Sequence, residues 1–174
     1  LVFFLCFDII KENIKGDEKH WKIVPDITDK EITSFIIHFA KDEMKSCFAA
    51  IYENYSGEKL YFTNDCLYYK KSDKLNKVKY ENLSNASYFE KRKKEENKII
   101  FSRNVTLYDK NNKVIFEALS ENDSVLSSET SNNLEKKLAD IFNNIISLTT
   151  GKDVKTEVRK EKDVFFTLLE KWDE

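Results

Sequence analysis

Apolar positions along this chain change their period twice. Phe3, Phe7, Ile10 and Ile14 recur at spacings of four, three and four, which is one face of a helix. Gly16 then stands where a left-handed C-terminal residue is wanted. GDEKH reads as a turn and WKIVP as extended, because the residue before Pro25 avoids the α region. A second helix is predicted from Thr28, which forms a capping box with Glu31 while Asp29 and Glu31 favour the positive end of the dipole. Ile32, Phe35, Ile36 and Phe39 supply its stripe, which ends near Lys45.

From Cys47 the period shortens to that of strands. CFAAIYEN, EKLYFT and CLYYKK read as three strands joined by tight turns at Tyr55-Ser56-Gly57 and Asn64-Asp65. A polar loop, SDKLN, leads to VKY and SNASYFEKR. After the charged turn KKEEN come KIIFSR and VTLYD, and DKNNK turns the chain into KVIFEAL. About seven short strands in up-and-down order over residues 47–119 imply antiparallel pairing and exclude a Rossmann-type βαβ sheet. Beyond the polar loop 120–130, the residues Leu134, Leu138, Ile141, Phe142, Ile145 and Leu148 fall on one helical face that ends before Gly151. KDVKTEVRKEKD reads as a solvated linker or extension. VFFTLLEKW reads as a last short amphipathic helix. The expected class is α+β in three parts: a helical extension over 1–46, a sheet domain with its capping helix over 47–150, and a charged tail with a short helix over 151–174.

The run from Glu58 to Tyr69, EKLYFTNDCLYY, is similar to the apolar, (Leu/Phe)-Thr, two-residue turn, apolar-aromatic hairpin of the pleckstrin-homology-like family, in particular its bacterial and GRAM-type branches. Val78 to Ser84, VKYENLS, resembles the short strand and isoleucine-serine corner that follow it there. The resemblance spans roughly residues 47–148. It implies a bent seven-stranded antiparallel barrel capped at one open end by the helix carrying Leu134 to Leu148. It also implies a non-catalytic platform for proteins, lipids or peptides. The family's phosphoinositide-binding members carry Lys, then Lys or Arg, x, Arg at the first hairpin. Here that loop is Tyr55-Ser56-Gly57-Glu58-Lys59, so the lipid pattern is missing.

Composition narrows the function classes. Twenty-nine basic against 31 acidic residues give a net charge of −2, which counts against a dedicated nucleic-acid binder. Three glycines and one proline exclude glycine-linker and collagen-like chains. Cys6, Cys47 and Cys66 form no C-x-x-C pair and read as reduced thiols of a cytoplasmic protein, with a membrane-peripheral position as the variant of that reading. The opening LVFFLCF is far shorter than the roughly 20 residues that span a bilayer. Starting on Leu1 rather than Met, the chain reads as a fragment or processed product. Lys outnumbers Arg 26 to 3, the signature of an AT-rich microbial genome.

Charge is uneven along the chain. Residues 70–98 hold ten basic residues against five acidic ones, whereas residues 111–150 hold three against six. Lys70, Lys71, Lys74, Lys77, Lys79, Lys91, Arg92, Lys93 and Lys94 are therefore the candidate surface for an anionic partner. The plainer reading is that lysines on loops and strand edges block edge-to-edge aggregation. His20 and His38 are the only groups titrating near neutrality. A pairing of His38 with Asp42 or Cys47 lacks any nucleophile motif around it. The scattered Cys and His exclude a zinc site by spacing, and Asp109, Asn111, Asn112, Asn122 and Asp123 read as turn chemistry rather than a calcium loop. Tyr68-Tyr69-Lys70-Lys71 comes nearest to a stacking surface for single-stranded nucleic acid, a class the net acidity disfavours.

No catalytic residue, metal ligand or cofactor is therefore expected. The expected function is a non-catalytic module binding a protein partner or an anionic membrane surface. The alternative is a small-ligand-binding or enzymatic α+β domain with a cavity between the N-terminal helices and a curved sheet. Val164, Phe165, Leu168, Leu169 and Trp172 make one apolar stripe on a segment too short to be helical alone. That predicts docking of Phe165, Leu168, Leu169 and Trp172 on the chain's own domain or on a second copy, as a homodimer.

Overall fold

The computed structural model describes residues 2–14, 18–39, 48–54, 57–71, 74–123, 134–162, 168 and 172. Helix α1 (Val2–Asn13) leads to strand β1 (Trp21–Ile23) and helix α2 (Asp29–Phe39). The capping box forms as its residues dictate: Glu31 donates its N–H to Thr28 Oγ1 at 3.3 Å, and Thr28 donates its N–H to Glu31 Oε2 at 2.9 Å. Lys22 of β1 also pairs with Glu31. That hydrogen bond, then the one from the Thr28 backbone, holds the Glu31 carboxyl below the usual carboxylate range.

Strands β2 (Phe48–Glu53), β3 (Lys59–Thr63), β4 (Cys66–Lys71) and β5 (Lys74–Lys79) follow, then a 3₁₀ turn (Tyr80–Asn82). Next come β6 (Leu83–Glu95), β7 (Lys98–Asp109), β8 (Val114–Asp123), helix α3 (Leu134–Thr150) and β9 (Glu157–Lys162). The strands make two sheets. The first is an antiparallel meander in the order β1-β2-β3-β4-β5, and the second runs β8-β7-β6-β9. The class is α+β, as expected, but the sheets do not close into a barrel.

The described residues form nine strands rather than about seven, because β1 and β9 are added, and other strands differ in length. Val78 and Lys79 of VKY belong to a longer strand, β5, whose Lys74 to Lys79 pair with β4 from Lys71 to Cys66, while Tyr80 begins the 3₁₀ turn. KIIFSR and VTLYD are one continuous strand, and β6 runs through the lysines expected as a turn up to Glu95. WKIVP supplies β1, which pairs with β2 from Trp21↔Tyr52 to Ile23↔Ala50. The segment after Gly151 is not a solvated linker. Glu157 to Lys162 lie parallel to β6 in the register Ser87↔Glu157 to Arg92↔Lys162.

That last strand has no buried side chain; hydrogen bonds from α3 place the segment leading into it. Asn143 is buried and treats Ala86 as a neighbouring strand would. Its Oδ1 accepts the Ala86 N–H at 2.7 Å, and its Nδ2 donates to the Ala86 carbonyl at 2.9 Å. The same Nδ2 reaches Thr156 Oγ1 at 3.0 Å, and Thr156 donates to Asp140 Oδ1 at 2.5 Å. One turn further on, Ser147 Oγ accepts the Val154 N–H at 2.8 Å. Positions 140, 143 and 147 thus form a polar row along α3 that anchors residues 154–156 and delivers the chain to the edge of β6.

The opposite face of α3 is apolar. Leu138, Ile141, Phe142 and Ile145 are buried, while Leu148 at the end of the stripe is 36% exposed. This face packs on α1, β6 and β7, so the helix covers a face of the second sheet rather than the open end of a barrel. The core joins it to Ile10 of α1 and Ile14 just beyond that helix, to Tyr52, Phe62 and Tyr88 of the strands, and to Tyr80 of the 3₁₀ turn. Phe142 stacks on Phe62 at 5.8 Å between ring centroids. A smaller apolar layer of Ile27, Ile51, Cys66 and Tyr68, with Ile32 of α2 against it, covers the other face of the first sheet. Among the described residues no helix is long and apolar enough to cross a membrane.

Candidate interaction surface

The β4–β5 hairpin divides its side chains between two apolar layers, and its lysines follow. Leu67 and Tyr69 belong to the main core, whereas Cys66 and Tyr68 belong to the smaller layer outside. Pairing of Cys66 with Lys79 and Tyr68 with Lys77 puts both lysines on that outer face. Alternation along β4 adds Lys70 to the same face. All three are exposed, and none is in an ion pair with a carboxylate among the described residues. The Lys77 ammonium stands 5.9 Å from the centroid of the Tyr68 ring. Lys74 falls on the opposite face, paired in register with Lys71. β5 is the edge strand of the first sheet.

Cys66 lies among these lysines but is not a reactive thiol. Burial, then the Asp65 carboxylate, pushes its pKa up to about 11, against a weaker pull downward from Lys77 and Lys79. Thr63 fixes the turn beside it, accepting the Cys66 N–H on its hydroxyl at 3.1 Å.

Lys91, Arg92, Lys93 and Lys94 lie in the other sheet, at the far end of β6. Lys91 and Lys93 point outward. Lys91 is 3.8 Å from Glu161 of β9, and Lys93 pairs with Glu95. Arg92 and Lys94 point to the inner side, where the Arg92 guanidinium stacks over Phe101 at 5.2 Å. Arg103 covers the same ring at 4.6 Å and is itself buried. The nine candidate cations are thus divided between two sheets that share no hydrogen-bonded edge, and within each sheet between two faces.

His20 is buried beside Tyr52, with Nδ1 donating to the Glu53 carbonyl at 2.8 Å. The suggested pairing of His38 with Asp42 or Cys47 lies outside the described residues. Asp109 accepts the backbone N–H groups of Asn111 and Lys113 at 2.8 and 2.9 Å, the turn chemistry its sequence predicts. Among the described residues no cluster of His, Cys, Asp and Glu could hold a metal ion. Of the C-terminal docking stripe, Leu168 is 54% and Trp172 88% exposed, while Phe165 and Leu169 lie outside the described residues.

Sequence reasoning missed Lys160 and Lys162, which β9 brings beside Glu90 and Arg92. The one available signal was the polar row Asp140, Asn143 and Ser147 opposite the apolar stripe of α3. Compared with known proteins, the chain matches no family model and no curated protein.

Proposed function

We propose that this chain is a non-catalytic interaction module whose outer β4–β5 face holds an acidic segment of a protein partner. The observation that carries the reading is the convergence of the exposed Lys70, Lys77 and Lys79 on one sheet face beside the buried Tyr68, with no carboxylate among the described residues in ion-pair contact. Three ammonium groups so placed repel one another, and a partner's carboxylates relieve that repulsion. The neighbouring edge of β5 offers backbone groups to an extended acidic segment, while lysines suppress pairing with a second, identical edge.

The same reading makes residues 48–150 a pleckstrin-homology-like domain. What supports it is the strand order: β2 to β5 in one sheet, β6 to β8 in the next, then a helix packed on the second. β1 and β9 are additions, one at an edge of each sheet. A cytoplasmic location goes with the reading.

The experiment is binding of a fluorescein-labelled, glutamate-rich peptide to the whole chain, followed by anisotropy. Loss of three attractions of about 1 kcal/mol each makes Lys70→Glu/Lys77→Glu/Lys79→Glu bind about a hundredfold more weakly. Its melting temperature stays that of the parent chain. Binding to phosphatidylserine vesicles without binding to the peptide replaces the protein partner with a membrane. Peptide binding that survives the triple reversal removes the β4–β5 face from the account.

A further inference from the structure

The second sheet has one covered face and one bare face. α3 packs on β6 and β7, and the inward residues Tyr88, Val105 and Ala118 of β6, β7 and β8 lie in the main core. Alternation turns Phe89, Asn104 and Leu119 to the other side, where they share one row across the same three strands. None of the described helices packs there, since α2 lies against the first sheet and α1 against α3 and β2. Leu119 is 55% exposed, and Phe89 and Ile100 are partly exposed. Three apolar side chains of one sheet face therefore meet solvent, which is how a surface waiting for a partner differs from scattered exposed residues.

The amide among them is already satisfied. Asn104 donates from Nδ2 to Glu117 Oε1 at 2.6 Å and accepts the Thr106 hydroxyl on Oδ1 at 2.9 Å, so covering it strands neither end. Charge on this face is sorted by strand. Lys91 and Lys93 stand on β6, and Glu117 and Glu121 on β8, with Lys91, Ser102 and Glu121 in one row. Lys91 meets Glu161 of β9 on its other side at 3.8 Å, and Glu121 is in no ion pair among the described residues.

We infer that this face binds the same face of a second copy of the chain, about a twofold axis running along β7. Such an axis lays β8 of one copy over β6 of the other, row for row, in an aligned packing of two sheets. Leu119 then covers Phe89 of the second copy, Glu121 meets its Lys91, and Ile100 meets its own counterpart on the axis. Every contact off the axis occurs twice. Lys91 keeps Glu161 as well, because an ammonium has three donors. Charge opposes the other alignments. A twofold across the strands that still stacks Leu119 on its counterpart brings Glu117 against Glu121. An axis between β6 and β7 lays β8 over β9 and sets Glu121 against Glu161. Of these, only the axis along β7 pairs opposite charges. Three strands make a small interface, so the dimer is weak, with a dissociation constant of about 10–100 µM. It shares no residue with the β4–β5 face, so the two surfaces stand or fall separately.

Sedimentation velocity of the whole chain over a concentration series tests this. The parent chain passes from monomer to dimer with that dissociation constant. Leu119→Asp weakens the dimer by about tenfold or more at an unchanged melting temperature, the side chain being exposed. Lys91→Glu and Glu121→Lys each weaken it about tenfold, since two pairs per dimer turn repulsive. An equimolar mixture of these two variants restores the parent affinity as a heterodimer, because the facing charges are again opposite. A chain that stays monomeric throughout the series overturns the inference. A mixture no tighter than its components overturns the alignment. A dimer that survives Leu119→Asp and is lost on Trp172→Ala belongs to the C-terminal stripe and removes this face from the account.

Discussion

Two lysine-rich stretches of this chain, one on β4–β5 and one on β6, differ in what the fold does with their charge. On β6 the cations are part of the structure: Lys91 meets Glu161, Lys93 meets Glu95, and Arg92 with Arg103 encloses Phe101. On β4–β5 the outward lysines meet an aromatic ring and solvent. Identical residue types thus serve folding in one place and stay accessible to a partner in the other. The distinction depends on which strand lies alongside. β9 brings a carboxylate to β6, whereas β5 is the last strand of its sheet.

Substitutions break this contrast in a definite order. The largest effect is expected from Phe101→Ala, which removes a buried ring and the surface both guanidinium groups cover. It should cost about 3–5 kcal/mol of stability, read as a shift in the denaturant midpoint. Binding of the acidic peptide by the fraction still folded should be unchanged. Asn143→Ala comes next, because it leaves the buried Ala86 N–H and carbonyl without partners, at a cost of about 3 kcal/mol. Hydrogen exchange should accelerate over residues 157–162 more than over β1, since β1 is anchored by the buried Trp21 whereas β9 has no buried side chain. The smallest change is Lys91→Glu. It replaces one exposed ion pair by repulsion, costs less than about 1 kcal/mol, and leaves peptide affinity within twofold of the parent. Iodoacetamide sharpens the contrast without any mutation. With its pKa near 11, Cys66 should stay unmodified at pH 8 in the folded chain and react on unfolding.

The sequence made some of this legible and not the rest. The Thr28–Glu31 box, the Asp109 turn and the apolar stripe of α3 were readable because each is a local pattern with a local cause. β9 was not. EVRKEK has only Val158 as an apolar residue, so no alternation marks it, and its position depends on polar groups of α3 that a helical wheel assigns to solvent. The length of β6 was missed for a related reason: Lys93 to Glu95 continue the ladder through backbone pairing with β7, which a run of charged residues does not signal. The candidate cations were identifiable by type, but not their grouping. Which lysine shares a face with which depends on the register Tyr68↔Lys77, and a slip of one residue would reverse it.

Zero-length carbodiimide cross-linking tests the central claim most directly. The full chain is coupled to the glutamate-rich peptide, and the modified lysines are located by mass spectrometry. The account predicts cross-links at Lys70, Lys77 and Lys79. Cross-links concentrated at Lys91, Lys93 and Lys94, or spread evenly over the surface lysines, would contradict it.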